Sequence, residues 1–139
     1  MAEKNVLAFD LGASSGRGML ASFDGEKINL KEIHRFPHNF SVLNGHAYWN
    51  ILSLMDEMKK GLHLCKSEIS GVGFDTWGVD CGFLSKEGEL LGIPGSYRDS
   101  VLDDRNMNEA LELLGGEEKA FAHTGIASLA YNTIYKIYY

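Results

Sequence analysis

Val6-Leu7-Ala8-Phe9-Asp10-Leu11-Gly12-Ala13-Ser14-Ser15-Gly16-Arg17 is the stretch on which the reading of this chain turns. Its first four residues form a continuous apolar run, the pattern of a buried central strand, and Asp10 and Gly12 close that strand in a tight loop. Beyond the loop the pattern changes to alternation, with Met19, Ala21 and Phe23 on one face. Asp24-Gly25 supplies a hairpin signal, and the next run alternates Ile28, Leu30 and Glu32 before the pattern breaks at Ile33. Three antiparallel strands in succession are expected, the first connection being the one richest in small residues.

Farther along, Asn50 can cap a helix whose apolar positions Ile51, Met55, Met58, Leu62 and Cys65 follow the spacing of one buried face. A second buried strand is expected at Ser70-Gly71-Val72-Gly73-Phe74-Asp75. A return strand over 79–84 should end at the turn Lys86-Glu87-Gly88. Asp103 or Asp104 opens a helix over Met107, Leu111 and Leu114 that Gly115-Gly116 ends, and a shorter helix follows over 117–123. Residues 132–139 begin an amphipathic helix in which Ile134, Tyr135 and Tyr138 have no evident partner. No repeat or Pro-rich linker marks a boundary, so a single α/β domain is expected.

Composition narrows the function classes. A chain of 139 residues with 45% hydrophobic and 23% charged residues is globular in character and large enough for a core. Its net charge of -6, with the thirteen Lys and Arg scattered, gives nucleic acid no basic surface to bind, and a small polar ligand fits better. No apolar run approaches the length of a membrane span, and no signal peptide precedes the first strand, so a cytoplasmic protein with no membrane partner is expected. Cys65 and Cys81 lack the spacing of a zinc site and read as two reduced, buried thiols. The five histidines likewise show no metal spacing.

The loop over 10–17 concentrates the chemistry. Gly12 and Gly16 let the backbone turn and approach an anion, while Ser14 and Ser15 add hydroxyl donors beside backbone N–H groups. Asp10, at the carboxyl end of its strand, is suited to holding Mg²⁺ through water. Arg17 can contact a phosphate or pair with a carboxylate. A plain hairpin whose Asp and Ser satisfy backbone groups is the structural alternative. Gly16-Arg17-Gly18-Met19-Leu20-Ala21 matches a dinucleotide fingerprint only literally, because a strand follows it where a helix must start, and no Gly-Lys-Ser/Thr triplet exists for a Walker loop. Asp75 and Asp80 would do acid/base work only if they converged on a substrate; solvated turn acids are the alternative. Arg98 and Asp99 read as an ion pair or as a rim contact to a ligand.

Asp-Leu-Gly-x-Ser-Ser-Gly-Arg after an apolar strand resembles the first phosphate loop of the FGGY family of carbohydrate kinases. The resemblance narrows to the rhamnulokinase branch through Glu32-Ile33-His34-Arg35-Phe36, Asn44-Gly45 before Trp49, Asp75-Thr76-Trp77-Gly78-Val79-Asp80, Tyr97-Arg98-Asp99-Ser100, and Thr124-Gly125-Ile126 followed by Asn132-Thr133. It covers essentially the whole chain. What it implies is a ribonuclease-H-like, actin-like ATPase fold with a five-strand mixed sheet and flanking helices. Residues 1–139 would form the amino-terminal kinase domain, with the second domain and the catalytic aspartate lying beyond Tyr139.

By the same resemblance, Ala13, Ser14, Ser15, Gly16 and Arg17 would line the ATP phosphates and Asp10 would sit near the Mg²⁺ that bridges them, with Gly12 in the same cofactor-binding loop. Gly78, flanked by Thr76 and Trp77, would lie at the sugar site. The implied reaction moves the γ-phosphoryl group of Mg-ATP to the primary hydroxyl of L-rhamnulose, in rhamnose catabolism. This chain alone would lack turnover, and exposed apolar surface would favour its self-association. A kinase of another ketose or polyol, and a non-catalytic nucleotide-binding role, are the rival readings.

Overall fold

A computed structural model describes residues 3–139. The chain divides into two compact units, Met1–Asn39 with Asn50–Gly78 and Phe40–Trp49 with Val79–Tyr139.

The first unit is a four-stranded sheet in the order β3-β2-β1-β6 with one helix, α1. Strands β1 (Lys4–Leu11), β2 (Ser15–Phe23) and β3 (Ile28–Pro37) form the expected antiparallel meander, and β6 (Gly71–Thr76) joins β1 in parallel. The Asp24 carboxylate closes the second hairpin by accepting from the N–H groups of Glu26 and Lys27 at 2.8 Å each. The break in alternation at Ile33 is a β-bulge: Gly18 pairs with His34 and Met19 with Glu32, so Ile33 is the extra residue. The bulge turns His34 and Phe36 to the face that carries Leu7, Phe9 and Leu20, where Phe36 is 2% exposed.

Helix α1 (Ile51–Leu64) begins at Asn50, whose side chain accepts from Ser53 N–H, as its sequence indicates. Its buried face is rotated from the expected one. Leu54 and Gly61 are buried, while Ile51, Met55 and Leu62 are exposed, because Gly61 lies against the Phe9 ring and sets the helix's orientation. A Cβ at Gly61 would stand 2.8 Å from that ring. His34 on β3 is 2.5 Å from Glu57 on α1, a polar tie between sheet and helix.

The second unit holds a hairpin, β4 (Phe40–Leu43) and β5 (His46–Trp49), and three helices, α2 (Asp104–Leu114), α3 (Glu117–Thr124) and α4 (Thr133–Tyr138). Asn44 and Gly45, both at positive φ, form the two-residue turn. Asp103 caps α2 through Asn106 N–H, and Gly115 ends it in the left-handed conformation. Tyr135 of α4 is 3% exposed against Ala110 and Leu111 of α2, so this tyrosine is a core residue and not one lacking a partner.

The structure departs from four further expectations. The five-strand sheet has four strands, and residues 79–84 form no strand; only Leu84 makes a single bridge, to Leu90. Val79 sits at φ 64, outside the extended region, which breaks the run where its alternation begins. The cysteines are unpaired but half-buried and not fully buried. Arg98 lies over the Tyr97 ring and donates to its hydroxyl, and no Arg98–Asp99 pair forms among the described residues. Asp99 instead accepts from Ala47 N–H at 3.1 Å and from Val101 N–H, and stands 3.3 Å from His46 Nδ1.

Candidate functional site

The parallel pairing of β1 with β6 sets the site, since it brings Asp10 beside Asp75 at the carboxyl ends of both strands. Register partners share a face, so Asp75, Asp10, Arg17 and Arg35 form one charged row across β6, β1, β2 and β3. Arg17 takes the second of its two options and pairs with Asp10 at 2.5 Å. Each side chain of this pair is 42% exposed, so both groups remain open to a ligand from solvent. At the far end of the row Arg35 is 2.6 Å from Glu32. The guanidinium holds the Glu32 carboxyl below its ordinary range, and the carboxylate in turn raises Arg35.

Between β1 and β2 the chain turns over Gly12, Ala13 and Ser14, with Gly12 N–H donating to Ser15 C=O at 2.9 Å. No acceptor among the described residues takes the N–H groups of Ala13 and Ser14. Two open backbone donors, an exposed Ser14 hydroxyl and a half-buried Ser15 hydroxyl thus meet at the tip of a strand loop. That donor set is suited to an anion with several oxygens. Two adjoining carboxylates offer hard oxygen ligands to a divalent cation. The residues therefore fit a magnesium-bound polyphosphate.

The two glycines of the loop serve different ends. Gly12 lies in the turn, where a Cβ would stand 3.2 Å from Ser15 O. Gly16 is already inside β2, and the space above it is filled by the Phe36 ring, so its missing side chain serves packing and not approach to an anion.

His38 is the residue that sequence reasoning missed. Its N–H donates to Ser14 C=O at 3.1 Å, and its Nε2–H donates to Gly12 C=O, because a carbonyl can only accept. Its ring stacks on Trp77 with centroids 5.1 Å apart and planes inclined by 22°. At 6% exposure it braces the loop and supports the segment that follows β6. The one local cue is Pro37, which ends β3 opposite Ser15 and so leaves His38 beside the loop.

Thr76 ends β6 opposite Leu11, and Thr76 and Gly78 are exposed while Trp77 is half-buried. One face of Trp77 is taken by His38, which limits any stacking role to the rest of the ring. Asp75 stands exposed beside Asp10, whereas Asp80, in the second unit, is a buried partner of Lys136 and accepts from Trp49 Nε1 at 2.5 Å.

No family model matches the chain. In sequence it is similar to curated relatives. It is 42% identical over 138 residues to a rhamnulokinase of Mannheimia succiniciproducens, matching 96% of this chain and 28% of that protein. It is 40% identical over 142 residues to a rhamnulokinase of Pectobacterium atrosepticum, matching 99% of this chain and 28% of that protein. Among solved structures, gluconate kinase from Lactobacillus acidophilus superposes with a TM-score of 0.74 at 16% identity, over 98% of this chain and 28% of that one. The chain thus spans little more than a quarter of the proteins it matches. Over nearly its whole length it is rhamnulokinase-like in sequence and sugar-kinase-like in fold.

Proposed function

We propose that the chain is the amino-terminal part of an ATP-dependent sugar kinase that phosphorylates L-rhamnulose at its primary hydroxyl, and that it carries the phosphate-binding half of the active site. The observation that carries this reading is the open loop at 12–14 beside the Asp10–Arg17 pair, in a chain 42% identical to a rhamnulokinase. ATP would lie with its phosphate oxygens at the Ala13 and Ser14 N–H groups and the Ser14 and Ser15 hydroxyls, while Gly12 would keep the turn's shape and Gly16 would leave room for the Phe36 ring packed against the start of β2. Asp10 would hold Mg²⁺ through water, and Arg17 would balance charge beside the phosphates. Magnesium would neutralise the charge that builds on the phosphoryl oxygens during transfer.

Gly78, with Thr76 and Trp77, would meet the sugar. The exposure of Gly78, and the open space around a Cβ built there among the described residues beyond its chain neighbours, support an open position for a ligand. The remaining domain and the general base are proposed to lie outside this chain, consistent with its span of 28% of the relatives. Among the described residues no helix is long and apolar enough to cross a membrane, and a cytoplasmic location is proposed with the reaction. Self-association of the isolated chain is expected through apolar side chains such as Ile28 and Leu30, exposed by 65% and 66%.

The test follows ADP release from Mg-ATP with L-rhamnulose, L-fuculose, D-xylulose and glycerol, for this chain and for the reading frame carried to its natural stop. Turnover preferring L-rhamnulose in the longer polypeptide, and none in this chain, is the expected result. Preference for another substrate would keep the kinase and discard the rhamnulose assignment. Absence of turnover from both would favour nucleotide binding alone.

A further inference from the structure

β6 ends one side of the first unit's sheet, and its outer edge pairs with no other strand among the described residues. Ser70 N–H donates to Asn5 C=O at 2.7 Å, so by the alternation of a strand Val72, Phe74 and Thr76 also turn their backbone groups to β1. Gly71, Gly73 and Asp75 turn theirs outward, and among the described residues nothing takes those N–H and C=O groups. β6 holds neither lysine nor proline, and Val72 and Phe74 are 41% and 65% exposed on the face they share with Leu7 and Phe9. Helix α1 packs chiefly on β3 and β2, the two strands farthest from β6. The other edge of the sheet is guarded in a way that this one is not: β3 carries Lys31, Arg35, a bulge and a terminal proline, all of which hinder the addition of a further strand.

The sequence of β6 is complementary to itself. In an antiparallel pair of two copies centred on Gly73, the two Gly73 residues exchange N–H···O=C bonds, and Gly71 of each copy does the same with Asp75 of the other. At the positions between, where side chains approach most closely, Val72 of each copy meets Phe74 of the other, a β-branched residue against an aromatic ring. This register also sets each Asp75 against a glycine and keeps the two carboxylates well apart, whereas centring the pair on Phe74 would make them diagonal neighbours. We propose that the β6 edge is the interface of a two-fold symmetric dimer of this chain, paired in the register centred on Gly73, which joins two four-stranded sheets into one. Exposed side chains such as Ile28 and Leu30 give adhesion without direction, and β6 gives it a register. The pairing is independent of the proposed kinase activity.

Sedimentation equilibrium of this chain is the test, with Gly71 as the variable position. Among the described residues a Cβ at Gly71 meets nothing within 4 Å beyond its chain neighbours, and its φ is not left-handed, so a side chain fits there without strain in the monomer. Gly71→Lys places an ammonium opposite Asp75 of the second copy, and Gly71→Glu places a carboxylate there. Relative to the parent, the dimer dissociation constant is expected to fall about fivefold in the first and to rise about fivefold in the second, both differences shrinking in about 1 M salt. Equal constants for the two variants would overturn the proposal. So would a parent that stays monomeric at every concentration, or association that Leu30→Ser abolishes.

Hydrogen exchange of the parent gives a reading that needs no variant. Protection of the Gly73 amide is expected to rise with protein concentration. An amide that stays open at all concentrations places the association elsewhere, and one protected equally at all of them is covered from within its own chain; either result overturns the dimer.

Discussion

Phe36 fills the volume that a side chain at position 16 would require. Gly16→Ala is therefore expected to lower stability by about 1–3 kcal/mol through overpacking, measured by urea unfolding. Gly73→Ala is the contrasting case. Among the described residues nothing beyond its chain neighbours lies within 4 Å of a Cβ there, and its φ is not left-handed, so a gain of about 0.4–1 kcal/mol is expected from the less flexible unfolded chain. Asp24 gives a pH prediction. The N–H of Lys27, then that of Glu26, holds its carboxyl below the ordinary range. A depressed carboxyl contributes stability above its unfolded pKa and loses it as pH falls through the folded value, so the loss comes on the acid side of the ordinary carboxylate range. Thermal unfolding of Asp24→Ala, compared with the parent between neutral and strongly acid pH, should show a difference that shrinks towards acid. At this scale the sequence was only partly legible. Asp10, Ser14 and Arg17 stood out by type and spacing, but Gly16 looked like a loop glycine because nothing local reveals a ring that arrives from β3. His38 was missed because its partners, Gly12, Ser14 and Trp77, come from two other segments.

Strands and helices followed their local signals where those signals were backbone chemistry. Asn50 and Asp103 cap α1 and α2 through the N–H groups of Ser53 and Asn106, and Gly115 ends α2 at φ 87. Asp103→Ala should cost about 1 kcal/mol in chemical denaturation. Gly45→Ala tests the β4–β5 turn, where φ is 84 and the space around a Cβ is empty, so any loss of about 1–2 kcal/mol is conformational alone. That hairpin was legible in Asn44-Gly45 yet went unread, because its four-residue strands are too short for alternation to speak. The buried face of α1 was misjudged for a different reason. Hydrophobicity favoured Ile51, Met55 and Leu62, but the closest approach to the sheet is made by a glycine, which carries no hydrophobic signal. The false strand over 79–84 failed on the left-handed Val79, a conformation that no β-branched residue advertises.

At the level of the whole molecule, the charged row across the first unit links fold to proposed chemistry. Asp10→Asn and Arg17→Ala in the extended polypeptide should depress kcat with L-rhamnulose by more than tenfold. Their effect on unfolding free energy should stay within about 1 kcal/mol, as expected for an exposed pair. Comparable losses of stability and activity would count against the assignment. The α/β character and the meander were readable from periodicity; the partition into two units was not, because residues 40–49 leave the first unit and α1 returns to it without any change of composition. The parallel β1–β6 pair also has a consequence in time. Hairpins β1–β2 and β2–β3 close over a few residues, whereas β6 must travel back past β4, β5 and α1 to reach β1, a loop whose closure entropy delays it. On a ribosome all three strands of the meander are synthesised before β6, so β1 has no partner for its second edge until β6 follows. Pulse-labelled hydrogen exchange should show β2 and β3 amides protected before those of β6. The acidic pair Asp10 and Asp75 would then be among the last features assembled, so that the site matures only when the sheet does.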